Sequence, residues 1–125
     1  MTRAQGLQVA VMVGVPPGGS IAYHALRFCE SLLSMGGELP LVFFYGDGVY
    51  QALAQAVPPE DEWQALRHWQ ALAQRGVELG VCSAAAERRG VLTSCLAEGF
   101  VWMGLASWVA ASAGADRRLL FREPR

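Results

Sequence analysis

Apolar runs with strand character alternate with stretches of helical period along the whole chain. Leu7 to Val13 is mostly apolar and β-branched, the pattern of a strand buried on both faces of a parallel sheet. It runs into the turn Gly14-Val15-Pro16-Pro17-Gly18-Gly19 and then Ser20, a good helix N-cap. Ala22, Leu26, Cys29 and Leu33 follow at helical spacing, and Gly36-Gly37 closes that helix. Leu41 to Tyr45 reads as the second strand, and its end, Tyr45-Gly46-Asp47-Gly48-Val49-Tyr50, reads as a turn leading into a short Ala-rich helical turn. Pro58-Pro59 with Glu60, Asp61 and Glu62 opens the next helix, where proline and negative charge suit the helix dipole. Trp63, Leu66, Trp69 and Ala73 give that helix an apolar side, and Gly76 stops it. Val77 to Val81 is a third, short strand. Cys82 then leads into Ser83-Ala84-Ala85-Ala86-Glu87-Arg88-Arg89, a strong helix former ended by Gly90. Beyond Val91 the pattern is ambiguous until Val101 to Ala113, which reads as a buried helix with Val101, Leu105, Trp108 and Ala111 on one side. Asp116 to Arg122 supplies a last strand. With no internal repeat or linker, this alternation predicts one α/β domain over residues 1 to 125: a doubly wound, mainly parallel sheet of about five strands with helices on both faces.

Composition narrows the function classes. Hydrophobic residues make up 53% of the 125 and charged residues 17%, which excludes a disordered chain. That apolar content is somewhat high for a free monomer of this size; association would hide the excess, and a thick core alone would also account for it. Net charge is -1, every basic residue is Arg, and no basic stretch is long enough to follow a phosphate backbone, which argues against direct nucleic-acid binding. The first residues read as a strand rather than a cleaved signal, and the uncharged stretch Gly99 to Ala115 is too short to span a bilayer. The expected location is the cytoplasm, with no membrane partner. Cys29, Cys82 and Cys95 form an odd set without CxxC or zinc-like His spacing, so free thiols and no metal are expected.

In a doubly wound sheet, chemistry gathers at the carboxyl ends of the strands. Three turns leave strands there: Gly14 to Gly19, Tyr45 to Tyr50, and Cys82-Ser83. Only the third carries a nucleophile. The backbone N–H groups of Ser83 and Ala84, at a helix start, would stabilise a Cys82 thiolate able to attack a sulfur donor. Arg88 and Arg89 fall at the other end of that helix, about two turns on. Tyr45, Gly46, Gly48 and Tyr50, on the neighbouring turn, are candidates for shaping the pocket. The bland alternative, Cys82 as a small buried hydrophobe, stays open. Cys29 lies on the apolar stripe of the first helix and reads as structural, and Cys95 as incidental. His24 lies one turn into the first helix and could face the site edge, while His68 reads as lying on a wet face. Neither has a carboxylate in sequence placed to orient it. The Gly14 to Gly19 turn is glycine-rich but lacks GK[ST], and its prolines remove donors that a phosphate would need. The Trp63/Trp69 pair is most simply core or interface.

Two segments in register carry a resemblance. Leu41-Val42-Phe43-Phe44-Tyr45-Gly46-Asp47-Gly48-Val49-Tyr50 is similar to the FFYxxGVY signature of the DsrE/TusD family of sulfurtransferase subunits. Cys82-Ser83-Ala84-Ala85-Ala86-Glu87-Arg88-Arg89-Gly90-Val91 is similar to the family's CxxAAxxRGV segment. The resemblance implies a DsrE-like fold and a sulfur acceptor at Cys82. It also implies transfer as a cysteine persulfide between upstream and downstream carrier proteins, without a cofactor. The destinations it implies are 2-thiouridine in tRNA or the oxidation of stored sulfur, with assembly into a hexamer or other oligomer with related subunits or with itself. The chain departs from the family in its short Leu92 to Glu98 segment and its double-proline first turn. A non-catalytic assembly subunit is the alternative within the family, and a flavodoxin-like small-molecule binder the alternative outside it.

Overall fold

The computed structural model describes residues 5–55 and 64–124. Five strands form one parallel sheet in the order β4-β3-β2-β1-β5: β1 (Val9–Val13), β2 (Val42–Phe44), β3 (Leu79–Cys82), β4 (Phe100–Met103) and β5 (Arg117–Phe121). The helices are α1 (Gly19–Ser34), α2 (Ala65–Gln74), α3 (Ser83–Arg88) and α4 (Leu105–Gly114), with 3-10 turns at Gly46–Ala52 and Thr93–Cys95. The chain walks from β1 to β4 in one direction and returns through α4 to pair β5 with β1, so the sheet is doubly wound.

Strand alternation sorts the core into two layers. Phe44 meets Trp69 of α2 edge-on at 5.0 Å, and Phe121 meets Phe28 of α1 at 6.0 Å, which puts α1 and α2 on one face. Phe43 stacks with Trp108 of α4 at 6.1 Å on the other. Trp69, Phe43 and Phe44 are fully buried, each contributing roughly 1.5–3 kcal/mol relative to exposure. The central strands are buried on both faces, as their unbroken apolar runs predict.

Two expectations need correction. The apolar stretch from Val101 is not one buried helix: Phe100–Met103 is the edge strand β4, Gly104 breaks the run, and α4 begins at Leu105. α4 is mostly exposed, with Leu105 and Val109 open and only Ser112 buried. The cap of α1 is Gly18 rather than Ser20, because Gly18 and Gly19 both adopt positive φ and start the helix earlier. The expected helix opening at Pro58 to Trp63 lies outside the described residues; the helix is seen from Ala65.

Candidate functional site at the carboxyl edge of the sheet

Because all five strands are parallel, the ends of β1, β2 and β3 share one edge. Cys82 is the last residue of β3 and the N-cap of α3, in an extended conformation (φ -64°, ψ 113°) that hands a strand directly to a helix. Ser83-Ala84-Ala85-Ala86 takes up the helix at once, as its composition favours. Gly90, at φ +72°, lets the chain turn back after Arg89.

β3 pairs with β2 through Phe44↔Val81 and with β4 through Cys82↔Met103. One step further along the first register brings Tyr45 alongside Cys82. Tyr45 is extended there, its N–H donates to the Val13 carbonyl at 3.0 Å, and its ring stacks on Phe43 at 6.4 Å. Met103 lies with its thioether over Gly80, in a niche that a Cβ at Gly80 would fill. By the same alternation Tyr45, Cys82 and Met103 form a row on the side of the sheet that α4 covers. Cys82 itself is 2% exposed. Ser83 is half-buried and Ala84 exposed.

The other expected site residues fall as follows. Gly46 (φ +57°) and Gly48 lie in the turn at this edge, and Gly48 is wedged so closely that a Cβ would strike the Val13 carbonyl oxygen. Tyr50 is half-buried and packs against the core. His24 is exposed, edge-on to Tyr23 at 5.7 Å. His68 does meet a carboxylate, contrary to expectation: its Nδ1 is 2.8 Å from Glu30 Oε2, supplied by α1 and invisible in the local sequence. Cys29 is buried in α1, and burial followed by the adjacent Glu30 charge pushes its thiol up to about 12. Cys95 is half-buried in the Leu92 to Glu98 segment, which docks on the end of the 3-10 turn through Ala54 N–H to the Cys95 carbonyl (2.9 Å) and Ala97 N–H to the Ala52 carbonyl (2.8 Å).

Two contributions escaped the sequence. Arg89 does not stay at the far end of α3. Its Nη1 donates to the Ala85 carbonyl and its Nε to Asp47 Oδ1, both at 2.9 Å, so it ties the thiol-bearing helix to the turn after β2. The partners lie 42 residues apart, and only the topology brings them together. Gln51 is buried, donating to the Val15 carbonyl at 3.1 Å and accepting from Trp69 Nε1 at 3.3 Å, so one amide fixes the glycine turn to α2. Among the described residues no group of three or more His, Cys, Asp or Glu is placed to hold a metal ion, and no helix is long and apolar enough to cross a membrane.

The fold agrees with comparison to known proteins. The family model for the DsrE/DsrF-like family matches residues 8–121. The chain belongs to the DsrE/DsrF-like family. Curated relatives in it include proteins named Sulfurtransferase TusD from Salmonella newport and Salmonella paratyphi B, each 39% identical over 128 residues, covering 92% of this chain and 100% of the relative. Among solved structures, the ychN protein from E. coli superposes with a TM-score of 0.81 at 23% identity, covering 94% of this chain and 100% of that one. A protein of unknown function from Methanobacterium thermoautotrophicum superposes with a TM-score of 0.73 at 17% identity, covering 90% and 98%. These two likenesses concern the fold.

Proposed function

We propose that this DsrE/DsrF-like protein is a sulfur-relay carrier that accepts sulfur as a persulfide on Cys82 and passes it to a partner protein. The observation that carries this reading is the placement of the motif cysteine: it ends a central parallel strand and opens a helix, in a chain alike over nearly its whole length to proteins named sulfurtransferases. The step balances without an added oxidant. The Cys82 thiolate attacks the outer sulfur of a donor persulfide, R–S–SH. The donor S–S bond breaks with its electron pair leaving on R–S⁻, and a new S–S bond gives Cys82–S–SH. A downstream thiolate then repeats the attack on the outer sulfur and returns Cys82 to its starting form. Cys82 makes no side-chain cap hydrogen bond at the start of α3, and in this reading its sulfur turns toward the Ser83 and Ala84 N–H groups as negative charge develops. Tyr45 and Met103 flank it, and Gly46 and Gly48 let the turn lie close. No cofactor takes part in this sequence. The reading puts the protein in the cytoplasm, between an upstream and a downstream carrier. It places the sulfur's destination in tRNA 2-thiouridine or in the oxidation of stored sulfur.

An assembly follows from the same proposal. Val101, Leu105, Val109, Leu120 and Tyr45 are exposed apolar side chains on or beside α4, and α4 carries no charge from Leu105 to Gly114. A surface of this kind suits burial against related subunits or a second copy of the chain.

One observation favours the non-catalytic alternative: Cys82 at 2% exposure is as hidden as a core residue. A single experiment separates the two. Intact mass spectrometry after incubation with a cysteine desulfurase, cysteine and a loaded persulfide carrier should show a gain of one sulfur, removable by reductant and absent from Cys82→Ser. Failure to load from a carrier shown to be charged would overturn the acceptor reading and leave an assembly subunit.

A further inference from the structure

β5 is an outer strand of the sheet and pairs with β1 on one side only. Arg117 N–H donates to the Gln8 carbonyl at 3.1 Å, and the Phe121 carbonyl accepts from Gly14 N–H at 2.8 Å. The odd-numbered residues of β5 therefore turn their backbone groups toward β1. By the period of two, the N–H and C=O groups of Arg118 and Leu120 point outward, and both residues are exposed. Among the described residues no strand pairs with that side.

The side chains sort by the same period. Phe121 meets Phe28 of α1, which sends Leu120, the register partner of Met12, to the α4 side. Arg118 shares that side. Arg122 continues the row, its Cβ 3.7 Å from where a Cβ at Gly14 would stand. An exposed leucine (55%) thus lies between two exposed arginines along the free edge. Among the described residues no carboxylate forms an ion pair with either arginine, and the neighbouring Asp116 accepts from Gln8 N–H at 2.9 Å. Four of the ten arginines fall between positions 117 and 125, against the single acid Glu123, in a chain of net charge -1.

We propose that the free edge of β5 takes up an extended acidic segment of a partner protein as a sixth strand. Acidic side chains two positions either side of an apolar one would sit opposite Arg118, Leu120 and Arg122. Backbone groups supply the pairing, and the charges select the partner. A second copy of this chain does not fit. Antiparallel pairing centred on Leu120 would set arginine against arginine twice, like charges directly across the ladder. The surface does not depend on the role of Cys82.

The test is fluorescence anisotropy of the terminally blocked peptide TETVTET, carrying a neutral dye, titrated with the full chain beside the charge-reversed TKTVTKT. Amide hydrogen exchange followed by NMR reads the same samples. The acidic peptide should bind saturably and the basic one should not. The Arg118 and Leu120 amides should exchange more slowly once the acidic peptide is bound. Replacing both arginines, Arg118→Glu with Arg122→Glu, should weaken binding about five- to ten-fold, the range that two exposed ion pairs supply. Leu120→Pro removes an outward donor while leaving the bonds to β1, and should weaken binding about five-fold. If proline lowers the melting midpoint, the arginine variant, which changes only exposed side chains, carries the test. No binding of the acidic peptide, or equal binding of the two peptides, would overturn the proposal. So would binding that leaves both amides unprotected, because charge alone would then hold the peptide. Protection of those amides that rises with protein concentration in the absence of peptide would make a second copy the occupant and overturn it as well.

Discussion

Cys29 and Cys82 are the same residue type at nearly the same burial, 0% and 2% exposed, so burial does not distinguish them; their backbone context does. Cys29 sits mid-helix among core side chains beside Glu30, and both desolvation and that negative charge disfavour its thiolate, raising it to about 12. In the native protein at pH 8, alkylation should leave Cys29 unmodified, while urea should expose it; labelling of native Cys29 at the rate of a free thiol would refute this. Because the folded value lies above the unfolded one, the folded state holds the proton longer, and this group's contribution to stability is full below about pH 9 and lost as pH rises toward 12. The difference in unfolding free energy between wild type and Cys29→Ala should therefore shrink across that alkaline window, as urea titrations at a series of pH values would reveal. The helical stripe made Cys29 legible as structural from sequence alone. Gln51 was not legible, because its partners, Val15 and Trp69, come from two other segments. Gln51→Leu leaves a buried carbonyl and an indole N–H unpaired and should cost about 2–4 kcal/mol, read from the same titrations; a loss below about 0.5 kcal/mol would mean that water replaces the amide.

At the scale of elements, the sequence was most informative where apolar runs were long and bounded by glycine, as for β1, β2 and α1. It was least informative at β4. Four apolar residues followed by a helix of similar composition offer no change of period to detect, since a short buried run reads alike as strand or helix. Gly104 was the available signal. Its effect is visible only once β4 is seen pairing with β3. The turn after β2 and the start of α3 were legible as elements of the carboxyl edge because glycines and a strand-end cysteine mark them. Their mutual distance was not, as the Asp47–Arg89 bond shows. Two glycines in these elements make contrasting predictions. A methyl at Gly48 meets the backbone oxygen of Val13, which already accepts from Tyr45 and cannot yield. Gly48→Ala should cost about 1–3 kcal/mol. A methyl at Gly80 meets the Met103 side chain, which can rotate away. Gly80→Ala should thus be clearly the milder of the two by chemical denaturation, and the reverse order would contradict this packing.

For the whole molecule, alternating strand and helix patterns made the parallel α/β class legible, and the motif pair made the family legible. The strand order was not written in the sequence; it follows from where right-handed crossovers deposit each strand, and it decides what the surface looks like. Returning through a single helix, α4, leaves that face of a five-stranded sheet thinly covered, while α1 and α2 share the opposite face. The high apolar fraction therefore has two destinations: a thick core on the α1/α2 side, and exposed Val101, Leu105, Val109 and Leu120 around α4. An arginine at Val109, which is 59% exposed, should scarcely affect folding of the single chain, because its charge stays in water. In an assembly through this face the same charge would be desolvated without a partner, at a cost of several kcal/mol. Light scattering coupled to size exclusion should accordingly give a mass above that of one chain for wild type and a single-chain mass for Val109→Arg, with matching melting midpoints at low concentration. Wild type eluting as a single chain at high concentration would assign the face to a different subunit. A Val109→Arg protein that still associates would place the contact elsewhere on the molecule.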